Sequence, residues 1–288
     1  VPQTVIIAVH TPYGTLVYAN DFKLDNAPTL GDKPNFKRLK ALGEKGVKVL
    51  IVDSLYADTA MKTPSENIAR EMLKDVLLGV NSRGKAVIIT TFSSHIARLK
   101  SIVELGKKLR RKIVFLGRSL SKYTTAAQTA GIIDFSKKAE FVRYGNKVGK
   151  FFKKIKHPEK YLFIVTGHQG EPRAVLPRMV YQKLFDFKEE DHVIFSCSII
   201  PVEANIRNRE KLDSALRKKK IRLFTDVHVS GHAFREDLRD LINLLKPKNI
   251  IPTHGNKKKL RAMKELALEM GYKSKNIKIL KNGVQVTF

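Results

Sequence analysis

Cysteine is nearly missing: Cys197 stands alone in 288 residues, so no intrachain disulfide can form and a reducing cytoplasm is the expected compartment. Lying in the apolar run "VIFSCSII", Cys197 itself reads as a buried small hydrophobe. Long apolar segments and lipidation patterns are absent as well, so nothing in these residues points to a membrane. No internal repeat or low-complexity tract breaks the chain, and an apolar content of 43% argues against disorder. Acidic residues are scarce: 27 stand against 55 Lys and Arg, a net charge of +28 and a pI near 10.1. Such an excess repels itself in a compact chain unless a polyanion meets it, so nucleic acid is the first partner to consider.

What is present is alternation. "TVIIAVHT" and "GTLVYAND" flank a turn-like "PYG" and predict a β-hairpin; helical "FKRLKALGEKG" then leads into the buried-type strand "VKVLIVDS". After a helix start at Thr63 to Ser65, strands "AVIITT", "KIVFLG", "YLFIVTG" and "HVIFSCS" alternate with helical stretches. A last strand–helix series, "IRLFTDVHV", "REDLRDLINLLK", "NIIPTH" and "KKKLRAMKELALEMG", ends in "IKILKNGVQVTF", whose "KNG" predicts a closing hairpin. Strands alternating with helices imply βαβ units, a parallel sheet and an α/β fold.

In open α/β folds chemistry gathers beyond the carboxyl ends of strands. Four such ends carry an acid or an imidazole: Asp21, Asp53, His232 and His254. Each alone has a plain explanation, since an Asp after a strand caps helices or makes Asx-turns and a lone His is commonly structural. Together they are donors that zinc accepts, and a carboxylate can bridge two metals. Four residues do not complete two coordination spheres, and no H-x-H-x-D-H cluster occurs in the chain.

Over essentially its whole length the chain resembles the β-CASP branch of the metallo-β-lactamase nucleases and, within it, ribonuclease J of the archaeal type. "TPYGTLVYANDFKLD" is similar to the stretch ending in the family's bridging metal aspartate, here Asp21. "VDSLYAD", "VHVSGHAFRED" and "IIPTHG" resemble the three ordered β-CASP motifs, at Asp53, His232 and His254. "FLGRSL" (Arg118, Ser119) and "VTGHQGEP" (Thr166, Gly167, His168, Gln169, Gly170) resemble ribonuclease J more than the messenger-RNA 3′-end endonucleases. The resemblance implies the C-terminal part of an αββα metallo-β-lactamase sandwich (1–64 and 193–288) with an inserted β-CASP α/β domain (65–192), a parallel sheet flanked by helices.

The resemblance further implies two zinc ions, with Asp21 bridging and His254 a ligand, and His232, oriented by Asp53, protonating the leaving 3′-oxygen. The implied activity is 5′-to-3′ exoribonuclease action on 5′-monophosphorylated RNA, with or without endonuclease action. Ser230 and Gly231 join Arg118, Ser119 and the Thr166–Gly170 loop as candidate contacts for RNA or its 5′-phosphate, a glycine-rich strand-to-helix turn being the alternative for that loop. A homodimer is expected. The chain departs from the family's pattern at Asn256, where Glu is frequent, and at His168, where Ser is common. By that pattern the family's first ligands fall before Val1, so a segment or second chain carrying H-x-H-x-D-H is the expected complement, and this chain alone is expected to be inactive. The other readings are a non-catalytic RNA-binding fragment and an endonuclease of the messenger-RNA 3′-end type. Lysines in "KKIKHPEK", "RKKK" and "NKKK" are candidate RNA contacts, although such runs are more often a solvated face. His95, at a helix start, reads as structural or as an RNA backbone contact.

Overall fold

The computed structural model describes residues 4–143 and 145–288. The chain divides into two compact units, one holding residues 4–28, 32–65 and 230–288 and the other chiefly 66–229.

The first unit opens with the expected hairpin: β1 (Ile7–Thr11) lies antiparallel to β2 (Gly14–Ala19), and Thr11 Oγ1 donates to Gly14 O across the turn at 2.8 Å. Asn35 caps α1 (Phe36–Lys45) by accepting from Arg38 N at 2.9 Å, and the helix turns Leu39 and Leu42 inward. β3 (Val47–Asp53) then pairs in parallel with β2.

The chain next enters the second unit. There α2 (Glu66–Leu78), β4 (Val87–Thr90), α3 (Ile96–Lys108), β5 (Lys112–Leu116), α4 (Arg118–Thr129) and β6 (Glu140–Val142) follow one another. After them come α5 (Gly145–Lys154), β7 (Tyr161–Val165), α6 (Val175–Tyr181), β8 (His192–Phe195), α7 (Glu203–Lys218) and β9 (Arg222–Phe224). Six parallel strands form one sheet in the order β6-β5-β7-β4-β8-β9. The strands read as continuous Val, Ile, Leu and Phe runs because both faces are covered. Leu73, Leu99 and Leu120 of α2 to α4 pack on one face, and Phe152, Met179 and Leu212 of α5 to α7 on the other. β8 and β9 belong to this sheet, so the second boundary, expected at 192/193, falls at 229/230. Cys197 is buried in the core of this unit, as expected, and its thiol is pushed up to about 12 by that burial.

The chain returns to the first unit through α8 (Arg235–Leu245), β10 (Asn249–Thr253) and α9 (Lys257–Glu269). β10 adds in parallel to β3, giving the order β1-β2-β3-β10. Leu238, Leu241, Ile242 and Leu245 of α8 are each 1% exposed or less, at about 1.5–3 kcal/mol of burial apiece. Ile7, Val9 and Tyr18 lie exposed at 48%, 46% and 39% on the hairpin. The closing hairpin does not form: Ile277 bridges Ile250, and beyond it there is only a turn in which Val284 N donates to Lys281 O. Among the described residues its backbone pairs with the sheet only at Ile277 and Lys278, beside Ile250, and a hairpin without further strands is marginal in water.

Candidate active site

β2, β3 and β10 run side by side in the same direction, with Ala19 opposite Val52 and Thr253 opposite Asp53. That register brings Asp21, Asp53 and His254 to one edge of the first unit's sheet. His232 arrives on the loop before α8. Its amide donates to Ser230 Oγ at 3.0 Å, its carbonyl accepts from Thr63 Oγ1 at 3.3 Å, and Phe234 N donates to the same hydroxyl at 2.8 Å. Ser230 and Thr63 thus fix the loop; Thr63 could not have been singled out from the sequence, since its partners are about 170 residues away.

Asp53 is fully buried. One carboxylate oxygen accepts from Leu55 N at 2.9 Å, and the other accepts from His232 Nδ1 at 2.7 Å. Placing the proton on Nδ1 fixes the tautomer and turns Nε2 outward as the working nitrogen. Burial presses the His232 imidazole down, but the hydrogen bond and charge of Asp53, with Asp21 behind, outweigh it and hold the ring above its ordinary value. The His232 and His254 rings stack 10° from parallel with centroids 5.3 Å apart.

Asp21 Oδ1 lies 3.5 Å from His254 Nε2 and 3.7 Å from His232 Nδ1, and ligand atoms of these three residues fall within 4.8 Å of one another. Both Asp21 and His254 are solvent-facing, at 63% and 41% side-chain exposure, and so open to an incoming ion. A carboxylate and imidazole nitrogens are donors zinc takes, and the buried Asn20 Oδ1 beside Asp21 has no hydrogen-bond partner among the described residues. The residues therefore fit part of a zinc coordination shell. Asp21 and His254 also share a left-handed backbone, φ 53° each, a conformation Asp and His tolerate better than most residues.

In the second unit, the carboxyl ends of β5, β7 and β4 bring three loops together. Gly117, at φ 132°, approaches Thr166 so closely that a Cβ there would meet Thr166 Cγ2 at 2.8 Å. Ser119 Oγ is 2.9 Å from Ser93 Oγ, and the His168 ring stands edge-on to Phe92 with centroids 4.3 Å apart. The connections leaving β4 and β7 go to opposite faces of the sheet, so this crevice is the topological switch point where α/β sheets bind ligands. Several candidate contacts are already engaged. Thr166 Oγ1 accepts from Val175 N, Gly170 N donates to Gly167 O, and Gln169 bridges Ser198 O and Ile200 N. His168 is held below its ordinary value, by burial first and by Arg209 second. His95, expected to be structural or an RNA contact, caps α3 by accepting from Arg98 N at 3.2 Å. Asn256 caps α9 by accepting from Lys259 N at 3.1 Å.

Comparison with known proteins places this geometry. Residues 84–210 match the family model "Ribonuclease J, beta-CASP domain" and residues 218–280 match "Zn-dependent metallo-hydrolase RNA specificity domain". Ribonuclease J of Pyrococcus abyssi is 45% identical over 285 residues, a match covering 98% of this chain and 63% of that protein. Ribonuclease J of Methanocaldococcus jannaschii is 40% identical over 292 residues, covering 100% and 65%. This chain belongs to the β-CASP ribonuclease J family.

Ribonuclease J 1 of Streptococcus pyogenes is a more distant relative, 31% identical over 98% of this chain and 49% of its own length. The chain therefore spans less than two thirds of the length of these curated ribonuclease J relatives. A solved structure from Enterococcus faecalis, described as a protein of unknown function, shares the fold at a TM-score of 0.54 and 19% identity, over 88% of this chain and 56% of that one. Within the ribonuclease J frame the two-unit architecture is that of a β-CASP domain, a parallel sheet flanked by helices, carried by a metallo-β-lactamase-type α/β unit. Among the described residues no helix is long and apolar enough to cross a membrane.

Proposed function

We propose that this chain forms part of a zinc-dependent ribonuclease that hydrolyses RNA phosphodiesters from a 5′-monophosphorylated end, in the cytoplasm. The observation that carries the reading is the buried Asp53 holding His232 Nδ1 at 2.7 Å beside the exposed Asp21–His254 pair. Asp21 and His254 would hold zinc, and the remaining ligands would come from a complementing segment carrying H-x-H-x-D-H. Zinc in such a site supplies positive charge to the phosphate oxygens and makes water a better nucleophile. The chain's own part is proton management. Asp53 orients His232 and favours its protonated form, so that Nε2 presents a proton to the departing ribose 3′-oxygen. Having given up that proton, the imidazole remains hydrogen-bonded through Nδ1 to Asp53, ready to be reprotonated.

The substrate end would be met in the second unit. Arg118, the Ser119 hydroxyl, His168 and the Thr166–Gly170 loop face the switch-point crevice, where a terminal phosphate would be counted before cleavage. Thr166, Gln169 and Gly170 are engaged in internal hydrogen bonds and Ser119 shares one with Ser93, so the contact is assigned to Arg118, His168 and the remaining hydrogen-bonding capacity of the Ser119 hydroxyl. The exposed apolar Ile7, Val9 and Tyr18 suit a complementing segment laid on the hairpin.

Native mass spectrometry of the protein as isolated, joined to a turnover assay on 5′-monophosphorylated RNA, tests the reading. Expected are zinc bound together with the complementing segment, mononucleotide release, and loss of at least 100-fold in turnover with His232→Ala while RNA affinity holds. Unchanged turnover in that variant removes His232 from the chemistry, and two zinc ions on the bare chain overturn the assignment of ligands.

A further inference from the structure

The charge of the second unit is unevenly placed, and the topology explains where it goes. All six strands are parallel, so all six amino-terminal ends share one edge of the sheet and all six carboxyl ends the other. In the six residues preceding each strand there are fifteen Lys and Arg against six acids, a net +9 in 36 residues. In the six residues following each strand there are four against two, a net +2. The crevice edge is close to neutral, and the opposite edge is strongly basic.

The basic residues there come from separate loops: "GKKLRR" before β5, "KK" at 137–138, "IKHPEK" before β7 and "RKKK" before β9. Lys137, Lys138, Lys156, Lys218 and Lys219 are exposed. The acids cluster before β8, where Asp186, Glu189 and Glu190 are exposed and Asp191 is not. Asp191 is buried and accepts from Ala86 N and Lys188 N, and Glu189 takes Lys220 at 3.1 Å. The positive field is felt by a neighbour at the same edge: His192 is lowered to about 4, by burial and then by Arg222, Arg111 and Lys85.

Six strands at about 4.8 Å spacing make this edge roughly 24 Å wide. None of the large apolar side chains exposed among the described residues lies in the loops 79–86, 109–111, 130–139, 155–160, 182–191 or 218–221 that enter the strands. A protein partner would call for apolar or aromatic anchors at the centre of the contact. A ladder of cations without such anchors fits a phosphate backbone, which repeats its charge along its length and needs no pocket.

We infer that the amino-terminal edge of the six-stranded sheet is a docking surface for the phosphate backbone of RNA, separate from the loops at the carboxyl edge. The choice of RNA among polyanions rests on the function proposed above. Lys137, Lys138, Lys156, Lys218 and Lys219 hold the body of the strand by charge alone, with no reading of sequence.

Fluorescence anisotropy with a 5′-hydroxyl RNA of 30 nucleotides in EDTA tests it, the blocked end and the chelator removing end recognition and cleavage. Three proteins are compared: the unsubstituted chain, a variant with Lys137, Lys138, Lys156, Lys218 and Lys219 each changed to Gln, and a control with Lys33, Lys37, Lys45, Lys273 and Lys275 each changed to Gln. The edge variant should bind about tenfold more weakly at 0.1 M salt with a salt slope lower by roughly 2–4, and the control should change less than about twofold. In the unsubstituted chain, RNA should shield Lys156 and Lys218 from acetylation, a readout independent of how the variants fold. Equal losses in both variants, or an unaffected edge variant, overturn the edge as a site. Competition by polyglutamate as effective as that of RNA assigns the edge to an acidic protein and also overturns the proposal. Failure of the unsubstituted chain to bind RNA at all overturns the RNA reading itself.

Discussion

Single residues in this chain are held in states they would not choose in water. Asp21 and His254 sit at φ 53°, and non-glycine residues in that region carry strain of order 1–3 kcal/mol that the surrounding strands must offset. That strain turns two exposed polar side chains toward each other, which is hard to rationalise for solvated loop residues. His192 shows a second such state, at the other unit's basic edge. Its folded value of about 4 lies below the roughly 6.5 of an unfolded chain, so the unfolded state takes up the proton first. Stability from this group is therefore present above pH 6.5 and lost as the pH falls toward 4. Between pH 7.5 and 4.5 the chain should lose about 2–3 kcal/mol more than a His192→Gln variant, read by urea unfolding at both values. Parallel pH profiles in the two proteins would show that His192 titrates normally. Asp21, Asp53 and His254 of the candidate site were legible in the sequence because acids and imidazoles after apolar runs stand out; His232, expected at the end of a strand over 221–229, lies on the loop between β9 and α8 because that strand stops at Phe224. The part played by Thr63 was not legible, since its hydroxyl meets His232 O and Phe234 N only in the fold, and Ser230, read as a candidate RNA contact, also accepts from His232 N.

At the scale of elements, sequence pattern and structure agree at most places where a local rule decides, the closing "KNG" hairpin being the exception. The hairpin at Thr11–Gly14 and the buried strands followed from turn chemistry and apolar runs. The order β6-β5-β7-β4-β8-β9 did not, because strand pairing is non-local and every strand carries the same Val, Ile and Leu signal. For the same reason the boundary expected at 192/193 missed that β8 continues the sheet. Helix packing offers a direct test. A Cβ on Gly43 of α1 would stand 2.1 Å from Leu244 O of α8, backbone that cannot swing aside. Gly43→Ala should therefore destabilise by about 1–3 kcal/mol by forcing the helices apart, outweighing the gain of up to about 1 kcal/mol from helix propensity. Gly149→Ala in α5, where the added carbon meets only Leu184 Cδ2 at 3.6 Å, should show that gain unopposed. Thermal melts of both variants check the pair; stabilisation by Gly43→Ala would mean that α1 and α8 do not approach as closely as described.

Across the whole molecule, apolar clusters and charge are both partitioned. Val17, Leu50, Leu238, Ile250 and Met263 belong to one core, while the two faces of the six-stranded sheet carry two others. The second unit adds a buried charge network. Arg98, wholly buried, grips both carboxylate oxygens of Glu66 and donates to Ser196 Oγ at 2.8 Å. The Ser196 hydroxyl donates in turn to Val227 O at 2.8 Å, closing the network on the last strand's exit. Removing the guanidinium takes the bidentate countercharge from the buried Glu66 carboxylate, whose neighbour His95 Nε2 stands farther off at 3.6 Å. The cost is about 3–5 kcal/mol, whereas an exposed ion pair such as Lys40–Glu44 contributes well under 1 kcal/mol. Arg98→Met should therefore lower the stability of the unit spanning Glu66–Val229 by about that amount. Because the first unit has its own core, its contribution to the unfolding profile should keep its midpoint. Hydrogen exchange read by mass spectrometry separates the two, with faster exchange expected in β4, β7 and β8 and unchanged exchange in β3 and β10. Equal acceleration in both sheets would mean that the chain unfolds as one cooperative body, and the division into two cores would then have no energetic content.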